Sequence, residues 1–349
     1  MKKISTRQEA ILQFIREKKL ASNRDILEYV SGRFGETTRF TIIRDLDVLI
    51  EFGLIEKTGS GRSIAYEEII TSRLLRFIEV DDYLNVSPDD RIAKEGFDFS
   101  VFKNIGKLFN KQELRVLMNL NIEFQKRFSK ISPATLKKEF ERLTIEFSWK
   151  SSHIEGNTYN LVETEYLIKE RKEAQGHSRE EAIMILNHKS ALDYIRSTPD
   201  KFKNISIKKI EDVHNLLIDG LGVEQGIRKG LVGITGTKYR PLDNEFQIRD
   251  ALTAMCESIN KQGDIFSKAL LANAFIAYIQ AFEDGNKRTS RMMGNAILIA
   301  NGACPLSFRS IDEAEYKKAM IVFYEQNSLR YFKELFIEQY EFAVKTYFL

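Results

Sequence analysis

The sequence predicts a mainly α-helical protein in two parts: a small unit of three helices plus a β-wing, then a larger all-helical core carrying one short β-hairpin. Three observations predict this. Residues 1–70 hold three amphipathic runs, then two strand-like runs around a Gly-Ser-Gly turn. From residue 110 onward, apolar residues recur almost everywhere at helical spacing. One stretch rich in glycine and threonine, GLVGITGTKYRPL (230–242), interrupts that pattern and reads as a hairpin.

In STRQEAILQFIREKK, Ile11, Leu12, Phe14 and Ile15 recur at helical spacing behind Ser5, a residue suited to N-capping. ASNRDILEYVSGRF repeats the scheme, with Ser22 as cap and Ile26, Leu27 and Val30 inward. TTRFTIIRDLDVLIEFG places Ile42, Ile43, Leu46, Leu49 and Ile50 on one side and stops at Gly53. LIEKTGSGRSIAYEEI then supplies two strands with Arg62 at the tip between them. Three helices and a wing describe a winged helix-turn-helix over residues 1–70. Its third helix would be the reader, with Thr37, Thr38, Arg39, Thr41 and Arg44 at its start or outer face. Winged helices also serve as protein-contact modules. Here acidic residues nearly balance basic ones, which lessens the pull on DNA phosphates.

Residues 71–110, with VDDYLNVSPDD, read as a linker that packs on a neighbour. The core, 111–349, is expected to hold helices at 111–150, 161–174, 178–197, 205–219, 246–262, 266–280, 288–301, 311–325 and 329–348.

Bulk properties narrow the class. A chain of 349 residues suits two or three domains, and 43% hydrophobic with 30% charged residues is ordinary for a soluble protein. A net charge of +3 does not by itself point to nucleic acid. Cys256 and Cys304 lie far apart with no CxxC spacing, which argues against a disulfide framework or a zinc site and fits a reducing compartment. The start, MKKISTRQEA, turns polar at once, and no apolar run is long enough to cross a bilayer. A cytoplasmic protein without a membrane partner is expected.

The chemistry concentrates in QAFEDGNKRTSR, residues 280–291. It joins two apolar helices, SKALLANAFIAYIQAF and RTSRMMGNAILIANG. Free N–H groups at the start of the second helix favour an anion. Lys287, Arg288 and Arg291 add positive charge, the two arginines one turn apart. Asp284, an acid amid cations, makes sense as holder of a divalent metal that bridges phosphates. Taken alone, a Gly-Asn turn with basic residues is an ordinary solvated inter-helix turn.

The complete spacing resembles the Fic (Fido) domain family, whose signature reads HPFxxGNGRxxR. Phe282, Gly285, Asn286, Arg288 and Arg291 match it, and Asp284 stands where the family carries its metal-binding acid. SSHIEGN is similar to the family's inhibitory-helix pattern, [S/T]xxxE[G/N], through Ser151, Glu155 and Gly156, on a helix expected around 147–157. The 230–242 hairpin, with Thr237, Lys238 and Tyr239, resembles the family's flap, which clamps a target segment beside the site. The resemblance covers roughly 110–349.

The resemblance implies a Fic core that binds ATP with Mg²⁺ and transfers AMP to a hydroxyl side chain of a target protein. It gives Asp284 the metal, Gly285, Asn286, Lys287 and Arg288 the phosphates, Arg291 the γ-phosphate, and Glu155 the role of blocking that arginine. A homodimer is expected on the same grounds.

Three departures matter: Gln280 replaces the signature histidine, Ala281 the proline and Lys287 the second glycine. An amide cannot take up a proton near pH 7, and a positioned base contributes roughly 10²–10⁴ in rate. Three histidines, His177, His188 and His214, lie far off in sequence; His153 shares the Glu155 segment but should face away. Three readings follow: a self-inhibited adenylyltransferase impaired by Gln280, an ATP-sensing winged-helix transcription regulator (a pseudoenzyme), or an AMP-removing hydrolase using Glu155.

Overall fold

The computed structural model describes residues 4–69 and 72–349, so the boundary expected at 70/71 falls outside the described residues, as does the Arg62 side chain. The chain divides into two compact units, Met1–Arg73 and Leu74–Leu349.

The first unit runs α1 (Thr6–Lys18), β1 (Ala21–Ser22), α2 (Asn23–Phe34), α3 (Arg39–Glu51), β2 (Ile55–Thr58) and β3 (Ala65–Glu68). Each helix starts where a side chain satisfies its free N–H groups. Ser5 and Gln8 cap reciprocally, as do Ser22 and Asp25, and Thr38 accepts from the Thr41 amide. Ile11, Leu12, Ile15, Ile26, Val30, Ile42, Leu46 and Leu49 are buried, whereas Ile50 is exposed. The sheet order is β1-β3-β2, all antiparallel, with Tyr66 opposite both Ala21 and Lys57. The two-residue β1 was not legible in the sequence. Buried Asp45 is held by Arg7 at 2.6 Å and Gln8 at 2.9 Å.

The second unit opens with a short helix, α4 (Val80–Asn85), and irregular chain, followed by ten longer helices. From Leu74 onward the 71–110 stretch belongs to the second unit. Val101, Phe102, Ile105, Leu108 and Phe109 are buried in the core. The helix expected over 111–150 is two, α5 (Lys111–Phe128) and α6 (Pro133–His153). Ser132 caps the second and Pro133 opens it, because proline lacks the N–H a continuous helix would need. Then follow α7 (Leu161–Glu170), α8 (Arg179–Ser197), α9 (Ile207–Ile218), α10 (Glu245–Asn260), α11 (Ile265–Ile279), α12 (Asn286–Ala300), α13 (Glu313–Gln326) and α14 (Arg330–Thr346). No helix among the described residues is long and apolar enough to cross a membrane.

The hairpin expected over 230–242 does not form a ladder. Its second arm is engaged elsewhere: the Arg240 amide donates to the Glu95 carbonyl at 2.6 Å, and the Lys238 amide to buried Glu325 at 3.0 Å. The first arm is left as an irregular edge around the Thr235–Gly236 turn.

The centre is the pair α11 and α12. The first is apolar all round and buried along nearly its whole length, as a core helix should be. The two cross so closely that a Cβ at Gly294 would lie 1.9 Å from Asn273 Nδ2. That amide is itself buried and donates to the Ala269 carbonyl at 2.9 Å, so it cannot simply swing away. Gly294→Ala is therefore expected to cost about 1–3 kcal/mol by overpacking, read as a lower urea midpoint; an unchanged midpoint would show that the crossing has slack.

Candidate functional site

The loop between α11 and α12 is fixed from inside before any ligand is considered. Gln280 ends α11 in the left-handed region, φ 51°, and Gly285 opens α12 at φ 78°. Only glycine fits the second position, because a Cβ there would meet Ile218 at 3.2 Å and the His214 ring at 3.5 Å. The Asn286 amide clamps the turn from both ends: Oδ1 accepts from the Phe282 N–H at 2.9 Å, and Nδ2 donates to the Phe282 carbonyl at 2.8 Å. His214 from α9 stacks on Phe282, centroids 3.7 Å apart, and its Nε2 meets the Asp284 carbonyl at 2.9 Å. Arg228 donates from its amide to the Ala281 carbonyl at 3.0 Å and from Nε to the Gln280 carbonyl at 2.6 Å. Its other guanidinium nitrogens reach the Gly230 and Leu242 carbonyls, so one buried side chain ties the 230–242 segment to the loop.

This loop forms one wall of a cavity of about 500 Å³, within the range of small-molecule sites. Gln280 and residues 283–288 line the polar side, Glu155 and Gly156 one edge, and Val232–Thr235 another. Tyr316, Met320, Ile321 and Tyr324 of α13 supply a largely apolar face.

The polar side is rich in positive charge that protein groups only partly satisfy. Arg288 is 2% exposed, and its Nη2 donates to Asp284 Oδ2 at 2.7 Å. Its buried Nη1 has no hydrogen-bond partner among the described residues. Burial lowers the Arg288 pKa, while Asp284 and Glu155 act to raise it. The N-terminus of α12 carries no side-chain cap, unlike that of every helix from α5 to α11. Amides and an orphaned guanidinium N–H thus meet at one end of one helix.

Glu155 sits in the turn just past α6, not on the helix itself. Its carboxylate lies 2.9 Å from Arg291 Nη2 and 3.3 Å from Lys287 Nζ. Burial alone would raise its pKa, but Arg291 and Lys287 outweigh it and hold the group below the usual carboxylate value. Arg291 is wholly buried behind this carboxylate. It donates from Nε to Ser151 Oγ at 2.9 Å, from Nη2 to the Ser151 carbonyl at 2.8 Å and from Nη1 to the Tyr316 hydroxyl at 3.3 Å. His188 completes the chain. Its Nδ1 faces the Met184 carbonyl at 2.8 Å and so carries the proton, leaving Nε2 to accept from Ser151 Oγ at 2.9 Å. Burial pushes the His188 pKa down to about 3, so it stays neutral.

Most sequence-predicted residues meet here: Glu155, Gly156, Gln280, Asp284, Gly285, Asn286, Lys287 and Arg288 all line the cavity. Arg291 and Ser151 lie behind it, and the Asn286 side chain is spent on the loop. Thr237, Lys238 and Tyr239 do not line this cavity. Tyr239 is buried, stacks on Tyr278 and donates to the Tyr278 carbonyl; Thr237 accepts from the Tyr239 amide. The edge that faces the cavity is Val232–Thr235 instead. His153 turns away to the Asn157 carbonyl. Sequence distance hid His188, His214, Arg228, Tyr316 and Tyr324, which no local pattern marks.

As for a metal, the described residues hold no group of three or more His, Cys, Asp or Glu side chains able to bind one alone. Asp284 is a single carboxylate, 65% exposed. That donor set fits Mg²⁺ only when phosphate oxygens and water complete the shell.

Residues 204–298, from just before α9 to near the end of α12, match the model of the Fic/DOC family, and the chain carries a Fic/DOC domain. Among curated proteins it is similar to Protein adenylyltransferase Fic of Nematostella vectensis, 27% identical over 197 residues, covering 52% of this chain and 43% of that protein. Its Aedes aegypti counterpart is 29% identical over 189 residues, covering 52% and 37%. The chain thus spans about two fifths of these relatives' length. In fold it is similar to Fic-1 (residues 134–508) of C. elegans, TM-score 0.58 at 22% identity, covering 67% of this chain and 70% of that one. A Fic domain containing signaling protein from Bacteroides thetaiotaomicron gives TM-score 0.54 at 17% identity, covering 66% and 95%.

Asn286→Ala would strip both bonds from the Phe282 backbone, at about 1–3 kcal/mol for each buried group left unpaired. Hydrogen exchange at residues 281–286 is expected to quicken; unchanged protection there would mean that the clamp is dispensable.

Proposed function

We propose that the cavity binds ATP with Mg²⁺ in a site of the protein adenylyltransferase type, that Glu155 holds it shut, and that Gln280 leaves AMP transfer strongly impaired. The observation that carries the reading is the buried, unpartnered Nη1 of Arg288 beside the uncapped start of α12. A buried guanidinium N–H without an acceptor is unfavourable, and a phosphate oxygen would satisfy both it and the helix amides. Asp284 would hold Mg²⁺ together with the phosphates. When bound, the metal supplies neutralisation of phosphate charge.

In AMP transfer, a target hydroxyl oxygen would bond to the α-phosphorus and pyrophosphate would leave, so the hydroxyl proton needs an acceptor. Gln280 cannot be that acceptor. Its Nε2 donates to the Ala277 carbonyl at 2.6 Å, and its amide oxygen does not protonate near neutrality. Tyr324 is no substitute, because burial pushes its hydroxyl pKa far up. Loss of the base removes a factor of roughly 10²–10⁴ but leaves the phosphate cradle untouched. Glu155 holds Arg291 and Lys287 at once, so neither cation is free for a phosphate. The same two cations keep Glu155 ionised and engaged, which disfavours the hydrolase reading. That leaves the ATP-sensing regulator beside the impaired transferase, and self-association rests on the family resemblance alone.

A second reading concerns the first unit, whose elements fit a winged helix. Exposed Arg39 and Arg44 on α3 have no ion pair among the described residues, while Arg7, Arg16 and Lys18 are paired. Two unpaired cations, Arg39 at the start of α3 and Arg44 in its second turn, favour DNA phosphate over an internal role, with Thr38 and Thr41 beside them.

Three measurements test these readings. Titration calorimetry with ATP and Mg²⁺ is expected to give binding that Arg288→Ala weakens at least tenfold; equal affinity would sink the cradle. With labelled ATP and lysate, transfer is expected only from the Glu155→Gly, Gln280→His double variant; label from Glu155→Gly alone would mean that a working base exists elsewhere. For the winged helix, log affinity for duplex DNA should fall linearly with log salt, and Arg39→Ala and Arg44→Ala should each reduce that slope by about 1. Slopes identical to wild type would remove α3 as the contacting helix.

A further inference from the structure

We propose that Phe40 is a base-reading residue, one that recognises the thymine 5-methyl group in the major groove of duplex DNA. The inference rests on the DNA reading of the first unit and goes beyond it, to sequence selectivity.

Phe40 is 81% exposed, against 50% for Leu20, 41% for Phe34 and 37% for Ile50, the other exposed large hydrophobics among that unit's described residues. It occupies the second position of α3, directly after Arg39, and the helix begins at the Thr38 cap. The opposite face of α3, through Ile42, Asp45, Leu46 and Leu49, is committed to the interior. On a helix, residues four apart share a face, so Phe40 and Arg44 form one outward stripe with Thr41 beside it. A large apolar ring flanked by two unpaired guanidinium groups does not match an apolar protein groove, which would have to desolvate both cations. It does match a duplex. The arginines meet phosphates or base edges, and between the phosphate rails the floor of the major groove offers one apolar feature, the thymine methyl. First-turn residues of a reader helix are the ones that reach base edges. Removing the ring should leave folding intact, since nearly all of it lies in solvent.

The experiment uses the full chain. A duplex library randomised over its centre is enriched for binders, and each thymine of the enriched sequence is then replaced by uracil, which deletes only the methyl group. Fluorescence anisotropy at fixed salt is expected to give a three- to fivefold loss at one or two positions, the scale of about one methyl removed from contact. Phe40→Ala should bind more weakly and show no uracil effect at those positions. If duplex binds but uracil is neutral everywhere, or its effect persists in Phe40→Ala, the role of Phe40 is overturned while DNA binding stands. If no duplex is enriched, both readings fall. Gel filtration in which Phe40→Ala alters molecular size would then place the ring in a protein contact.

Discussion

The second unit's site is organised around one fully buried cation. Burying a guanidinium in full is unfavourable unless its N–H groups find acceptors and its charge a counter-ion. Arg291 meets that demand with Ser151 from α6, Tyr316 from α13 and Glu155 from the turn after α6. A single side chain on α12 therefore binds two separate segments, the end of α6 with its following turn and α13, and Glu155 stands in the cavity as a consequence. Near neutral pH no proton can release it. A carboxylate with a lowered pKa makes its contact above its ordinary value and loses it only as pH falls through the depressed one. His188 is held neutral over the same range. What can displace Glu155 is a competing anion offered to Lys287 and Arg291, which is what the proposed triphosphate would be.

The proposed phosphate-binding and proton-transfer roles rest on different contacts in this fold. The turn that presents the cradle is held by Asn286, His214 and Arg228, through backbone groups of residues 280–284. None of those contacts uses the Gln280 side chain. A residue in the left-handed cap of α11 can therefore exchange its chemistry without moving Gly285, Lys287 or Arg288. That independence would let the proposed phosphate site persist without a base at position 280.

What was legible in the sequence follows contiguity. The 280–291 loop could be read because its chemistry sits on neighbouring residues, and Ser5, Ser22 and Thr38 because capping is local. Legibility failed where the deciding contact was remote. His188 and His214 are ordinary helix residues until Ser151 and Phe282 arrive from elsewhere. The hairpin was expected from its glycines and threonines, yet Glu95 and Glu325 took the hydrogen bonds its second arm would have given its first. Thr237, Lys238 and Tyr239 were chosen by that same local pattern and proved to be anchors.

The charges of the cradle bear on how metal and nucleotide depend on each other. Glu155 and Asp284 pair with Lys287, Arg288 and Arg291, so part of the positive charge is already neutralised. A phosphate at the unpartnered Nη1 of Arg288 would stand close to the Asp284 carboxylate that holds Nη2 of the same guanidinium. Two like charges at such a distance are strongly unfavourable outside bulk water. A divalent cation held by Asp284 would offset this repulsion by neutralising phosphate charge. Neither partner alone is well accommodated, because Asp284 without phosphate prefers Arg288 and phosphate without metal meets Asp284. The proposed site would thus favour a metal–nucleotide complex over either component.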